Sequence, residues 1–83
     1  MRNSLHSKDY KVLTGFLIDA RKRADLTQQE VADRLGRTQS FVAKVESGER
    51  RIDVVEFLQI CRIMRADSLD IIRRLKSSMA RGD

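Results

Sequence analysis

The chain has 83 residues, 41% hydrophobic and 35% charged, with 17 Lys and Arg against 12 Asp and Glu and a formal charge of +5. A chain this short forms one domain and buries roughly 60% of its unfolded surface, so disorder is excluded and a single modest core is expected. It has no apolar run near the ~20 residues that cross a bilayer, no secretion-type apolar stretch at its N-terminus and no second cysteine to pair with Cys61.

The lone cysteine fits a reducing cytosol. Proline and tryptophan are absent, and apolar alternation with period two is never sustained, so the fold class is all-α. The basic balance suits a nucleic acid partner, or equally a solvated arginine-rich surface.

Residues 1–6 read as a polar arm carrying Arg2 and His6. Ser7 caps a first helix over about 8–24, in which Leu13, Phe16, Leu17, Ala20 and Ala24 recur at helical spacing. Gly15 costs this helix about 1 kcal/mol against alanine and is expected to mark close packing. Arg21, Lys22 and Arg23 suit the negative end of the helix dipole. Arg21 falls on the apolar side and calls for a carboxylate opposite it.

A second helix over about 28–35 opens with the capping box Thr27–Glu30, in which hydroxyl and carboxylate satisfy each other's backbone amides. Leu35-Gly36-Arg37-Thr38 is the turn, and Thr38 caps a third helix over about 39–47. Val31, Ala32 and Leu35 form one apolar stripe, and Phe41, Val42 and Val45 another. Two helices this short do not persist alone. They pack across the glycine turn as a helix-turn-helix spanning residues 27–46.

Gly48 stops the third helix, and Glu49-Arg50-Arg51 follows as a basic loop. Asp53 and Glu56 form a second capping box for a helix over about 54–64, with Phe57, Ile60, Cys61 and Met64 on one stripe. Cys61 therefore reads as a small core residue. Asp67-Ser68 opens a fifth helix over about 69–79, with Leu69, Ile72, Leu75 and Met79 on one side and Ile71 beside them. Ala80 to Asp83 reads as a tail. The sum is a five-helix bundle, one domain over 1–83 with its core within about 13–76.

Catalysis needs a nucleophile with a base, a paired carboxylate cleft or metal ligands. One histidine in a polar arm, one core cysteine and scattered capping carboxylates supply none of these, and no cofactor, metal or effector pocket is legible. Binding has more support. In a helix-turn-helix the second helix enters the DNA major groove N-terminal end first. Here that end presents Gln39, Ser40 and, one turn on, Lys44. Glutamine can address adenine N6 and N7, serine several base edges, and lysine guanine or a phosphate. Phe41 is assigned to the packing side rather than to a thymine methyl. Gln28 at the start of helix two, Arg37 in the turn and Arg50 and Arg51 after helix three are candidate phosphate contacts.

The run Thr27 to Gly36, then Thr38-Gln39-Ser40, then Val45-Glu46-Ser47-Gly48-Glu49-Arg50, resembles the Cro/C1-type (XRE-family) helix-turn-helix domain. Leu17 to Arg21, Leu26 and the apolar pattern Val54, Phe57, Ile60, Cys61 and Met64 extend the likeness to about 60 residues. The resemblance implies a lambda-repressor-like bundle in a bacterial cytoplasm or encoded by a phage. It gives Gln28 a phosphate, Gln39, Ser40 and Lys44 the base edges, and Arg21 and Glu46 a structural ion pair. The first reading is a transcription regulator on a near-palindromic double-stranded DNA operator. It would act as a homodimer through Leu69, Ile72, Leu75 and Met79, with reading helices ~34 Å apart. The alternative is an antitoxin or protein-interaction module that keeps the fold. It would call for an extra wrapping segment, of which this chain has almost none.

Overall fold

Each helix of the computed structural model, which describes residues 7–81, starts where a side chain accepts from the free amides of its first turn. Ser7 caps α1 (Lys8–Arg23), Thr27 caps α2 (Gln28–Leu35), Thr38 caps α3 (Gln39–Ser47) and Asp53 caps α4 (Val54–Met64). The Thr27–Glu30 and Asp53–Glu56 boxes both close reciprocally. For α5 (Ser68–Arg81), Asp67 Oδ1 accepts from the amides of Leu69 and Asp70 at 3.1 and 3.2 Å. Such caps each contribute about 1 kcal/mol. The arm 1–6, with His6, and the last two residues of the terminal Arg-Gly-Asp lie outside the described residues.

The helix ends are set by left-handed residues. Gly36 (φ 72°) lets its own amide reach the Asp33 carbonyl and the Arg37 amide reach Ala32, the paired bonds of a Schellman stop. That stop folds α3 back onto α2 and creates the helix-turn-helix. Gly48 (φ 86°) ends α3 in the same region. Asp25 and Arg65 take this conformation without the freedom of glycine, at φ 59° and 55°. Asp25 corrects the first boundary: the chain turns there, so Ala24 is the cap of α1 and not its last helical residue. The fifth helix is longer than expected, starting at Ser68 and continuing through Ala80 and Arg81, which the sequence reading gave to a tail. Alanine and arginine are strong helix formers and nothing before Gly82 breaks the run.

One core gathers the apolar stripes of all five helices. Leu17, Val31, Ala32, Val42, Val45, Phe57, Ile60, Cys61, Met64 and Ile71 are buried, with Leu13, Phe16, Ala20, Leu26, Leu35 and Phe41 packed around them. On α4 the whole predicted stripe is buried. Burial pushes the Cys61 thiol up to about 11, with Asp67 adding to the effect, so it carries no thiolate near neutral pH. On α5 only Ile71 is buried; Leu69, Ile72 and Met79 are exposed and Leu75 is half-buried. Gly15 is exposed, and a Cβ there would meet nothing within 4 Å, so close packing is not what it marks.

Tyr10 is a core residue that the sequence reading passed over. It is buried, its hydroxyl donates to the Arg50 carbonyl at 3.3 Å, and it accepts from the Ile52 amide at 3.1 Å. It thus fastens the loop after α3 to the start of α1. Its spacing to Leu13, Thr14 and Leu17 was the available signal. Among the described residues no helix is long and apolar enough to cross a membrane.

Candidate nucleic-acid interface

The exposed face of α3 is held from behind by a chain of hydrogen bonds. Arg21, near the end of α1, donates through Nε to Glu46 Oε2 at 2.7 Å and through Nη2 to Oε1 at 3.1 Å. Its Nη1 donates to the Leu26 carbonyl at 2.9 Å, which ties the α1–α2 connector into the same group. The two side chains are only 14% and 10% exposed. A bidentate pair this far out of water depends on complete hydrogen bonding. Glu46 Oε1 completes it by accepting from Gln28 Nε2 at 2.9 Å.

Gln28 in turn accepts from Gln39 Nε2 at 2.7 Å. The chain Arg21–Glu46–Gln28–Gln39 therefore runs from the edge of the core to the first residue of α3. It fixes which way the Gln39 amide faces. The Gln39 carbonyl and its second N–H remain uncommitted, which is the acceptor-plus-donor set that adenine N6 and N7 require. Gln28, Gln39, Thr27 and Lys22 share the wall of an open hollow of about 460 Å³ beside the first turn of α2. Free helix amides at such a place favour an anion.

Ser40 and Lys44 are exposed next to Gln39, while Val42 and Val45 on the opposite side of the helix are buried. No carboxylate among the described residues pairs with Lys44. The other three candidate cations are arranged more tightly than free surface arginines. Arg37 stacks on Phe41, its guanidinium carbon 3.8 Å from the ring centroid, and lies 3.7 Å from Glu56. Arg50 lies 4.9 Å from the same centroid. It also donates to both Glu56 oxygens, at 3.2 and 2.9 Å, and to the Arg51 carbonyl. Arg51 stacks on Tyr10 at 4.2 Å and lies 3.5 Å from the Ser7 hydroxyl.

Phe41 is half-buried: one part packs on the core and the ring carries the arginines. The Arg50 hydrogen bonds, then the Asp53 amide, hold the Glu56 carboxyl below the usual carboxylate range, and Glu56 raises Arg50 further. The sequence showed Glu56 only as a capping residue. Its partnership with two arginines depends on how the loop 48–53 folds back, and no spacing rule reports that.

The predicted residues thus lie along α3 and the segments on either side of it. Gln28, Gln39, Ser40 and Lys44 cluster at the start and outer face of α3, with Arg37, Arg50 and Arg51 in the adjoining loops. A separate groove of about 600 Å³, between the end of α1 and the α4–α5 junction, includes Phe16, Arg34, Ile63 and Arg65 and shares none of these seven residues.

Comparison with known proteins agrees with this geometry. A family model described as a helix-turn-helix domain matches residues 12–75. No curated protein matches the chain. Among solved structures, an XRE-family like protein from Pseudomonas syringae pv. tomato str. DC3000 is similar, with 43% identity, 89% of this chain and 90% of that chain covered, and a TM-score of 0.82. With its capped helices, glycine turn and arginine-flanked third helix, the chain belongs to the XRE-type helix-turn-helix family of DNA-binding domains.

Proposed function

We propose that this protein is a sequence-specific regulator of transcription that places α3 in the major groove of a near-palindromic operator and binds as a homodimer. The observation that carries the reading is the Gln28–Gln39 hydrogen bond, backed by the partly buried Arg21–Glu46 pair. Side chains held in advance lose less entropy on binding than free ones, and a glutamine presented in this way is suited to adenine. Ser40 and Lys44 complete the base-reading set, while Gln28 and the loop arginines address phosphates and set the register. Five more positive than negative charges support the electrostatic share of binding.

The exposed Leu69, Ile72 and Met79 support the dimer, because a second copy of α5 would remove them from water together with the outer half of Leu75. Light scattering at tens of micromolar is expected to give twice the chain mass; the mass of one chain throughout that range would contradict the dimer.

Selection of bound duplexes from a pool with a randomised ~20-bp segment tests the main reading, since two half-sites about one helical turn apart fit within that length. The expected result is a consensus with inverted symmetry. A pool that stays random after repeated rounds, although the chain binds DNA, would contradict sequence-specific recognition.

A further inference from the structure

Two arginines, one ring and one carboxylate meet at the edge of the reading helix. Arg37 comes from the α2–α3 turn, Phe41 from α3, Arg50 from the loop after α3, and Glu56 from the first turn of α4. These are the segments that must keep their relative positions if α3 is to enter a groove at one depth and tilt. Glu56 is the hub. It accepts two of the three Arg50 hydrogen bonds, faces Arg37 at 3.7 Å and closes its own capping box on the Asp53 amide at 2.9 Å.

A carboxylate on a surface that meets phosphates is unfavourable by charge alone. Here it cancels one of two positive charges and leaves the cluster at a net +1. The cap alone does not require that charge, because glutamine serves the same capping position. The carboxylate is needed to hold two guanidiniums at once. Three of the Arg50 donor contacts point back into the protein, to Glu56 and to the Arg51 carbonyl. Arg37 sits over the Phe41 ring, with no hydrogen bond to any described side chain, and is 42% exposed. The two arginines are about equally exposed, at 42% and 39%, and differ in that Arg50 is held by hydrogen bonds and Arg37 is not.

We propose that Glu56 is a positioning residue of the DNA interface, whose carboxylate fixes Arg50 and draws Arg37 onto Phe41. The phosphate-seeking arginines then meet DNA at one register of α3, and general affinity is given up for sequence discrimination. Without the clamp, two long cationic side chains follow phosphates in any register. They bind every duplex more strongly and distinguish sequences less. This inference rests on the DNA-recognition reading above.

Glu56→Gln separates the two contributions, because the amide oxygen retains the cap acceptor, while the charge and the second oxygen that accepts from Arg50 Nη2 and faces Arg37 are lost. Fluorescence anisotropy would be measured over a salt series with two probes: the duplex selected from the randomised pool and a shuffled duplex of the same composition. In the variant, affinity for the shuffled duplex rises and its salt slope steepens by about 0.9, one additional phosphate neutralised. The ratio of selected to shuffled affinity falls by about fivefold or more, a loss the size of one base contact. Equal changes in both affinities, or no change in either, would overturn the proposal and leave Glu56 a capping residue.

Phe41→Leu provides a second arm independent of the α4 cap. It keeps apolar packing but removes the stacking face, and the ratio is expected to fall there too; a ratio unchanged in this variant would equally count against the clamp. A wild-type chain that binds both duplexes alike is a different failure, of sequence recognition itself.

Discussion

Glu46→Ala is expected to destabilise the domain by about 3 kcal/mol, the low end of the range for one partner of a buried ion pair, since this pair is partly buried. The loss is large because three donors aim at this carboxylate: Arg21 Nε, Arg21 Nη2 and Gln28 Nε2. Arg21, 14% exposed in the intact pair, would be left with a charge and no counter-ion. For a domain of this size the melting temperature falls by on the order of 15 °C, which thermal unfolding followed by circular dichroism would show. Replacing both partners together, Arg21→Met with Glu46→Leu, is expected to recover most of the stability, since no charge is then stranded. It should not recover DNA discrimination, because Gln28 would still lack the acceptor that orients it. A single Glu46→Ala variant that melts within a few degrees of wild type would show that the pair contributes little.

Leu17→Ala is expected to cost about 3 kcal/mol, the middle of the range for truncating a buried leucine. Leu17 is 2% exposed. With Val31, Val42, Val45, Ile60 and Met64 it borders a narrow void of about 10 Å³ next to Glu46. Four helices converge there, so each side chain is held by several elements and collapse into the enlarged cavity is limited. The back of α3, Val42 and Val45, rests on this site, which makes Leu17 a support of the reading helix from the opposite side of the core. Urea unfolding should show a lower midpoint with an unchanged slope. A loss below about 1 kcal/mol would mean that the surrounding helices relax into the gap.

Much of the fold could be read from residues with local roles. Thr27, Thr38, Asp53 and Asp67 announced helix starts, Gly36 and Gly48 announced stops, and the α4 stripe announced its buried face; these features depend on neighbours three or four positions away. Boundaries slipped where a residue acts against type. Asp25 adopts a left-handed turn usually left to glycine, and α5 runs on because nothing stops it. Tyr10 was missed because its role is an anchor to Arg50 and Ile52, 40 and 42 residues away.

The candidate site divides in the same way. That Gln39, Ser40 and Lys44 share an exposed face follows from helical period. That Gln39 is aimed by Gln28, and that Arg37 and Arg50 are gathered by Glu56 around Phe41, depends on packing between segments remote in sequence. Loop arginines read one at a time look like free charges. Placed in the fold, both are drawn to Glu56 and Phe41, Arg50 by hydrogen bonds and Arg37 by its place over the ring.

The most direct measurement is the affinity of Gln39→Ala and Lys44→Ala for the selected and the shuffled duplex at one salt concentration. Gln39→Ala is expected to weaken binding to the selected duplex by about 1–3 kcal/mol and to leave the shuffled duplex nearly unaffected, as loss of a base contact does. Lys44→Ala separates its two roles: a base contact lowers only the selected affinity, whereas a phosphate contact lowers both. If Gln39→Ala binds the selected duplex as tightly as wild type, or weakens both duplexes by the same factor, α3 does not read bases through its first turn and the assignment of the recognition surface is wrong.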